Sequence, residues 1–215
     1  MIIPENLKTH IRDPRSGAFM TAEIQNFLQD ISSDNQPRTV LDFGCGNGIF
    51  TNAISDLLPG NMTLFGYEPL EHLHKLIHKN NGKDNCPGFN VLPAKFNFRN
   101  KFNVVIFHFS IHHFDFKKIL NTLKTISPKY LILIDFDYST ATKIEFVEDF
   151  CRHEAGMIEL EKMGLKKCYD FHNKFHLPNY FGFTLKAGYC IDRIHPGEKF
   201  FLGSPYRFML IAKKP

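Results

Sequence analysis

A ten-residue segment in the first quarter of the chain combines a bare turn with a single acid. The segment LDFGCGNGIF has glycine at positions 44, 46 and 48 and aspartate at position 42. Glycines let a backbone turn sharply and come close to a ligand. Gly48 comes one residue too early for the third glycine of the G-x-G-x-x-G dinucleotide fingerprint. With an acid placed just before the turn, the segment predicts binding of a cationic small ligand rather than a pyrophosphate.

Histidines supply a second candidate chemistry. His112 and His113 lie in the segment HFSIHHFD, directly after a strongly apolar run. An imidazole with an ordinary pKa of about 6.5 can remove a proton from a hydroxyl or an amine at neutral pH, although a packing role also explains the pair. His74 and His78 have the i, i+4 spacing of some metal ligands, but no third ligand accompanies them. They are interpreted as a solvated helix face, and no metal is expected.

Strands and helices alternate along the chain and position these residues. Apolar runs predict strands over 39–43, 62–69, 88–92, 102–109, 130–136, 189–196 and 206–215. Helical periodicity predicts helices over 21–31, 49–60, 70–80, 116–126 and 177–188, with a helix-rich stretch over 141–165. The strands are continuous apolar runs, which is typical of a parallel sheet covered by helices on both faces. Ligands bind beyond the carboxyl ends of such strands, where the glycine segment lies.

The motif Asp42, Gly44, Gly46 and Gly48 resembles the D-x-G-x-G-x-G motif of class I S-adenosylmethionine-dependent methyltransferases. FNVVIFHFSIHHFD resembles the fourth-strand pattern of the same family, and Glu68 follows the second strand, as an acid does there. The resemblance covers residues 38–138 well and the C-terminus loosely. It implies an α/β fold with a doubly wound, seven-stranded, mostly parallel sheet, an antiparallel last strand and helices on both faces.

The resemblance also implies the cofactor, S-adenosylmethionine (SAM), and the residues around it. Asp42 is expected to face the ammonium group of SAM, and Glu68 to accept both ribose hydroxyls, since two vicinal donors need a two-oxygen acceptor. The third-strand loop lacks the acid that commonly accepts from the adenine amine, and Asn103 replaces a usual aspartate. The expected cofactor contacts are Asp42, Gly44, Cys45, Gly46, Gly48, Glu68, Pro69, Pro93, Ala94, His108 and Phe109.

A single domain over residues 1–215 is expected, with two segments that cover the site. Residues 1–37 are expected to form an N-terminal helical lid, and residues 139–176 a helical insertion over the substrate. The family resemblance places the transferred methyl beside His112 and His113, which are the candidate general bases, with His112 slightly favoured. The candidate substrate contacts are Phe19, Met20, Tyr138, His172, His176 and Tyr180.

Composition limits the protein class and its partners. The five cysteines are scattered without a C-x-x-C pair, which argues against a disulfide framework and fits a reducing compartment. No signal peptide or membrane-spanning run is visible, so a cytoplasmic protein is expected. The formal net charge of +4 is too weak to indicate a nucleic-acid surface. Oligomeric state is left open.

These observations together predict an enzyme of class EC 2.1.1. It is expected to transfer a methyl group from SAM to an oxygen or nitrogen of a small-molecule acceptor and to release S-adenosylhomocysteine (SAH). Two alternatives stay open at this point. One is an RNA or protein methyltransferase, and the other is a regulatory module that binds SAM or SAH without turnover.

Overall fold

A computed structural model of the protein describes residues 14–82, 88–99, 101–151, 154–196 and 205–215. Its α-helices are α1 Pro14–Ser32, α2 Ile49–Ser55, α3 His74–Asn80, α4 Phe116–Ile126, α5 Lys143–Phe150, α6 Glu154–Met163, α7 Leu165–His172 and α8 Leu177–Lys186. Its strands are β1 Arg38–Phe43, β2 Met62–Tyr67, β3 Asn90–Leu92, β4 Val104–His108, β5 Tyr130–Phe136, β6 Cys190–Pro196 and β7 Arg207–Lys213. None of the helices in these ranges is long and apolar enough to cross a membrane.

The strands form one sheet in the order β3-β2-β1-β4-β5-β7-β6. Strands β1 to β5 pair in parallel, whereas β7 runs antiparallel to both β5 and β6. This confirms the predicted doubly wound sheet with an antiparallel last strand. Asp42 of β1 lies in register with Gly66 of β2 and Ile106 of β4. The carboxyl ends of these strands therefore meet at one edge, where the glycine segment begins.

Both faces of the sheet are buried, which explains the continuous apolar runs. Leu41 and Val105 point into one core layer, which also holds α4 and α8 residues, and the neighbouring Val40 and Val104 point into the other. All four of these side chains are completely buried. The many phenylalanines mostly fill the first layer and a third cluster. The packed layers hold the carboxyl edge of the sheet rigid.

Helices α5, α6 and α7 form a small unit after β5, where the helical insertion is expected. Their apolar residues surround Phe136 and Tyr138, just past the end of β5. The Tyr138 hydroxyl donates to Asp149 Oδ2 at 2.8 Å, and Arg207 Nη2 lies 3.2 Å from Asp149 Oδ1. All three polar side chains are buried. This network attaches α5 to β7 and holds the insertion against the carboxyl edge of the sheet.

Asn103 replaces the family's aspartate and connects β1 to the start of β4. Its Oδ1 accepts from Thr39 N at 2.8 Å and from Thr39 Oγ1 at 3.1 Å, while its own backbone N–H donates to Thr39 O at 2.9 Å. The side chain thus provides an acceptor for two donors on the central strand. A carboxylate would provide the same acceptor, which explains why either residue type suits this position.

We predict that Asn103→Ala lowers the free energy of unfolding by about 1–3 kcal/mol, because both Thr39 donors lose their acceptor. Asn103→Asp should stay close to the wild type, since a carboxylate oxygen accepts the same bonds. Urea denaturation of both variants measures the difference, with Asn121→Ala on the exposed face of α4 as a control. Equal stability of Asn103→Ala and the wild type would contradict this role.

Candidate functional site

The glycine loop after β1 is held between two neighbouring strands. Gly44 N and Cys45 N both donate to Tyr67 O, at 2.7 and 3.0 Å, so β1 stays attached to β2 beyond its own end. Gly44 has a φ of +83°, and a Cβ there would lie 2.7 Å from the Cβ of Ser110. No side chain fits at this position, because the turn after β4 packs directly against the loop.

Open space lies beside the middle of the loop. Gly46 has a φ of +57°, and a Cβ there would meet no described atom within 4 Å. Cys45, by contrast, is buried and turns its side chain toward Gly66 and the core, so only its backbone faces the loop's surroundings. The left-handed conformation at Gly46 therefore keeps the backbone bare at a point where a ligand can approach.

Glu68 shapes this loop from the end of β2. Its Oε2 accepts from Gly46 N at 2.9 Å, and its Oε1 accepts from Leu70 N at 3.0 Å. His74 Nε2 lies 2.8 Å from the Glu68 carbonyl oxygen, so this histidine supports the site instead of forming a free surface face. Burial raises the pKa of Glu68, and the two backbone donors partly oppose that rise. Each carboxylate oxygen retains a second lone pair with which it could accept from a ribose hydroxyl.

Asp42 is a buried acid with one hydrogen-bonded and one unpartnered carboxylate oxygen in the described part of the chain. Its side chain is 1% exposed, and its Oδ2 accepts from Thr51 Oγ1 at 2.6 Å. Its Oδ1 is buried and has no hydrogen-bond partner among the described residues. Burial raises the pKa of Asp42 to about 7; the Thr51 hydrogen bond opposes this shift and the charge of Glu68 adds to it. A buried carboxylate in this state fits a cationic N–H donor, which would satisfy both the oxygen and the charge.

The end of β4 is sharply turned and surrounded by rings. The His108 ring stacks on Phe50 of α2 with a centroid distance of 3.6 Å. Phe109 has a φ of +50°, which is rare and strained for a residue with a side chain. Its N–H donates to Ile134 O at 2.8 Å, and its ring stacks on Phe136. The strained turn directs the following segment toward the end of β5.

The remaining expected cofactor positions lie around the same edge. Pro69 directly follows Glu68, before the 3₁₀ turn Glu71–Leu73. Pro93 and Ala94 lie in the loop after β3, and the Ala94 carbonyl accepts from the Tyr67 hydroxyl at 3.1 Å. The loop therefore presents a backbone carbonyl close to the end of β2, in a segment without an acid. That these residues contact a cofactor stays a prediction.

His112 is held by a residue that the sequence analysis did not single out. Its Nδ1 lies 2.7 and 2.9 Å from the two carboxylate oxygens of Asp135, and both side chains are buried. Asp135 Oδ1 also accepts from Phe136 N at 2.9 Å. Because a carboxylate only accepts, Nδ1 carries the proton in this pair. The Nε2 of a neutral His112 is therefore the atom that can take up a proton.

His113 differs from His112 in its surroundings. It is exposed, and its ring centroid lies 4.1 Å from that of His112. Desolvation by the surrounding rings and the neighbouring His112 lower the pKa of His113. No described carboxylate lies within hydrogen-bond distance of its ring. Of the two candidate bases, His112 alone is oriented by an acid in the described part of the chain.

His172 lies beside His112, whereas His176 lies near Asp137 at the start of α8. The His172 ring centroid lies 5.0 Å from that of His112, and His172 Nε2 lies 3.1 Å from Glu159 Oε1. Burial lowers the pKa of His172, against the raising effect of Glu159. His176 precedes α8, and its Nδ1 lies 3.9 Å from Asp137 Oδ1. The two histidines of the segment therefore occupy different environments.

The other expected substrate contacts are buried or fall outside the description. Tyr138 and Tyr180 are completely buried, Tyr138 in the cluster of the inserted helices and Tyr180 in the core layer of α4 and α8, so that they contact a substrate stays a prediction. Burial and the charge of Asp135 raise the pKa of the Tyr180 phenol well above its ordinary value. Phe19 and Met20 belong to α1, but their side chains lie outside the described residues.

Three residues that complete the site were missed by the sequence analysis. Asp135 carried a signal, because it is a lone acid near the end of the apolar strand YLILIDF, at the same sheet edge as Asp42. The sequence carries no signal for a role of Thr51 or Glu159, because a threonine or a glutamate within a helix is common. Only the packing of their helices shows that they contact buried polar groups.

Comparisons with known proteins agree with this geometry. A family model described as a methyltransferase domain matches residues 16–181. A SAM-dependent methyltransferase from Aquifex aeolicus superposes with a TM-score of 0.61 at 16% identity, covering 99% of this chain and 98% of that one. Among curated proteins, no sequence matches the chain.

Two further solved structures have the same fold and are named for particular molecules. Magnesium protoporphyrin IX methyltransferase from Synechocystis, with bound SAM, gives a TM-score of 0.59 at 13% identity, covering 100% of this chain and 86% of that one. The plantazolicin methyltransferase BpumL, in complex with SAH and a triazolic desmethylPZN analogue, gives a TM-score of 0.62 at 15% identity, covering 98% of this chain and 90% of that one. At these identities the likeness establishes the fold.

The Asp42 environment predicts a pH-dependent stability. Its pKa rises from 3.8 in the unfolded chain to about 7 in the folded protein, so between these values only the folded state holds the proton. Asp42 therefore contributes a loss of folding stability as pH rises from about 4 to about 7. Asp42→Asn should remove that contribution and gain stability over the wild type across this range.

Chemical denaturation at several pH values, without ligand, measures the difference between Asp42→Asn and the wild type. Asp56→Asn, at an exposed position, is the control, because it measures how the loss of one surface acid changes stability with pH. A difference that stays constant from pH 4 to pH 8 would show that Asp42 is not a buried, proton-holding acid.

Proposed function

The chain belongs to the methyltransferase-domain family, and on that premise we propose that it transfers a methyl group from SAM to an oxygen or nitrogen of a small-molecule acceptor. The observation that supports transfer most strongly is the buried His112–Asp135 pair, at 2.7 Å, near the carboxyl edge that also carries the glycine loop. A module that only binds the cofactor needs no oriented base there. The product left after transfer is SAH.

The residues at the edge fit SAM in charge and in space. The buried Asp42 Oδ1 lacks a described partner and would accept from the ammonium group. The bare backbone at Gly46 leaves room for the nucleoside, and Glu68 keeps lone pairs for the ribose hydroxyls. When bound, SAM supplies an electrophilic methyl group on a positively charged sulfur. The chain's own residues bind it, orient the acceptor and manage the acceptor's proton.

His112 is the general base in this proposal, and Asp135 is its positioning residue. Asp135 fixes the ring so that Nδ1 donates to the carboxylate and Nε2 is the basic atom. When SAM and an acceptor are bound, the acceptor's lone pair would form the new bond to the methyl carbon while the bond from that carbon to sulfur breaks, its electron pair staying on the sulfur of SAH. The acceptor's O–H or N–H proton would pass to Nε2 of His112. The imidazolium that results is stabilised by the Asp135 carboxylate. Most of the remaining rate enhancement comes from holding the reactants in line.

Several features support a small acceptor over RNA or protein. The net charge is +4, and the insertion packs its aromatic side chains close to His112 and His113, with Phe171 and Phe175 among them. Aromatic rings around a buried base suit an acceptor that is itself mostly apolar. The fold neighbours named for protoporphyrin and for plantazolicin methylation are consistent with such an acceptor. An RNA or protein substrate would need a wider, more basic entrance.

Incubation of the protein with methyl-labelled SAM and a metabolite extract tests the proposal. Label in a small, ribonuclease-resistant and protease-resistant product is the expected result. Label that ribonuclease or protease releases from a macromolecule would indicate the alternative acceptors. SAM binding without any labelled product would indicate the regulatory module.

Glu68→Gln is expected to weaken SAM binding by about 10- to 100-fold. The amide retains one acceptor oxygen and sets an NH2 group against a backbone N–H donor, and lost bonds to a charged acceptor are worth about 1.5–3 kcal/mol. Calorimetric titration measures the affinity, and thermal unfolding checks the fold. Glu71→Gln, on the exposed 3₁₀ turn nearby, is the matched control. An unchanged dissociation constant in a folded Glu68→Gln would exclude Glu68 as the ribose ligand.

Replacement of His112 by Ala is expected to cut turnover of the identified acceptor by about 100-fold or more, while SAM affinity stays nearly unchanged. The variant should also lose the acidic limb of the pH–rate profile, since that limb reports protonation of the base. His113→Ala is the adjacent control and should retain most of the rate. Normal rates and an unaltered profile in His112→Ala would mean that the histidine is structural.

A further inference from the structure

We propose that Glu159, Cys168 and His172 form a binding site for a zinc ion. Cys168 and His172 lie one turn apart on α7, so they share a face of the helix. Glu159 comes from the neighbouring helix α6. One ligand atom from each of the three side chains lies within 4.8 Å of the others. The site lies in the inserted helices and shares no residue with the proposed cofactor contacts.

The types of the three side chains select the ion. Thiolate sulfur, imidazole nitrogen and carboxylate oxygen are the ligands that Zn²⁺ takes in proteins, whereas Mg²⁺ and Ca²⁺ prefer oxygen alone. Three protein ligands leave one position of a tetrahedron for water or another small group, as in zinc sites that are open to exchange. A thiolate in the set therefore points to zinc rather than to the harder cations.

The distances already approach those of a bound site. Neighbouring ligand atoms of a tetrahedral zinc site are about 3.3–3.8 Å apart, given bond lengths of about 2.0–2.3 Å. His172 Nε2 and Glu159 Oε1 are 3.1 Å apart. With 4.8 Å as the upper limit for the third atom, a shift of about 1 Å brings the Cys168 sulfur into place. Rotation about one side-chain bond covers such a distance.

Charge and access also fit an ion of charge +2. Cys168 would release its thiol proton on binding, so its thiolate and the carboxylate of Glu159 would together balance the two positive charges of the ion. The imidazole adds no charge, and a buried site with no net charge avoids a large desolvation cost. Cys168 is completely buried and the His172 side chain is 2% exposed, while the Glu159 side chain is 24% exposed. The ion could enter past Glu159, at the outer side of the cluster.

The hydrogen bond between His172 and Glu159 explains two of the three side chains without any ion. The Cys168 thiol belongs to the apolar cluster around Phe146 and Phe150, and it places a third ligand atom beside that hydrogen bond. The His172 ring also lies 5.0 Å from that of His112, so the cluster lies beside the proposed base. Zinc binding itself does not depend on the proposed function, and neither does its test.

Cobalt titration of the chelator-treated, full-length protein tests the site directly, because Co²⁺ replaces Zn²⁺ and absorbs light. One equivalent of Co²⁺ is expected to give the intense visible bands of tetrahedral coordination and a thiolate-to-cobalt charge-transfer band, both removed by one equivalent of Zn²⁺. Cys168→Ser should lose the charge-transfer band and bind at least about 10-fold more weakly. Cys151→Ser, a buried cysteine of the same apolar cluster, is the matched control and should keep both.

A second measurement covers the case in which a cysteine variant fails to fold. Zn²⁺ should raise the melting temperature of the wild type, and the rise should be smaller in Glu159→Gln, whose side chain is partly exposed. A weak, octahedral-type cobalt spectrum without charge transfer, or the same spectrum in Cys168→Ser and the wild type, would overturn the proposal. So would a wild-type melting temperature that does not respond to Zn²⁺.

Discussion

Three buried carboxylates gather near the carboxyl edge of the sheet, and the site depends on how each is satisfied. Asp42, Glu68 and Asp135 are 1%, 5% and 0% exposed. A carboxylate at such depth is costly unless hydrogen bonds or a cation compensate for the lost water. Glu68 accepts from two backbone N–H groups, and Asp135 accepts from His112 and a backbone N–H. Among the described residues, Asp42 accepts a hydrogen bond only from Thr51, and its second carboxylate oxygen has no partner beside the glycine loop.

The sheet places these acids and the histidines on different strands and turns around its carboxyl edge. The glycine loop and Glu68 are fixed through β1 and β2, while Asp135 is fixed through β5, which is paired on both sides. His112 stands on a short turn between β4 and α4. The insertion then covers that turn, and the buried contact of Asp149 with Arg207 and Tyr138 holds the insertion down. A cofactor bound at the loop and a base at the turn would thus each be held by rigid elements.

The sequence predicted the sheet and the loop well because both depend on local signals. Continuous apolar strands and three glycines at fixed spacing are visible without knowledge of packing. The helical spacing of His74 and His78 predicted a solvated helix face, whereas His74 contacts the carbonyl oxygen of Glu68. It also missed Asp135, Thr51 and Glu159, whose roles arise only when a strand end or a helix is packed against another element. Contacts between distant segments, such as Glu159 with His172, cannot be inferred from the spacing of either residue.

The proposed role of Asp42 is to bind the ammonium group of SAM through the carboxylate oxygen that has no partner in the described part of the chain. Calorimetric titration of SAM at pH 6 in two buffers of different ionisation enthalpy tests it. Binding should release about one proton, because the cation stabilises the carboxylate form of a group whose pKa is about 7 in the free protein. Asp42→Asn should bind without that release. A heat of binding that is equal in both buffers for the wild type, or no binding of SAM at all, would contradict this role of Asp42.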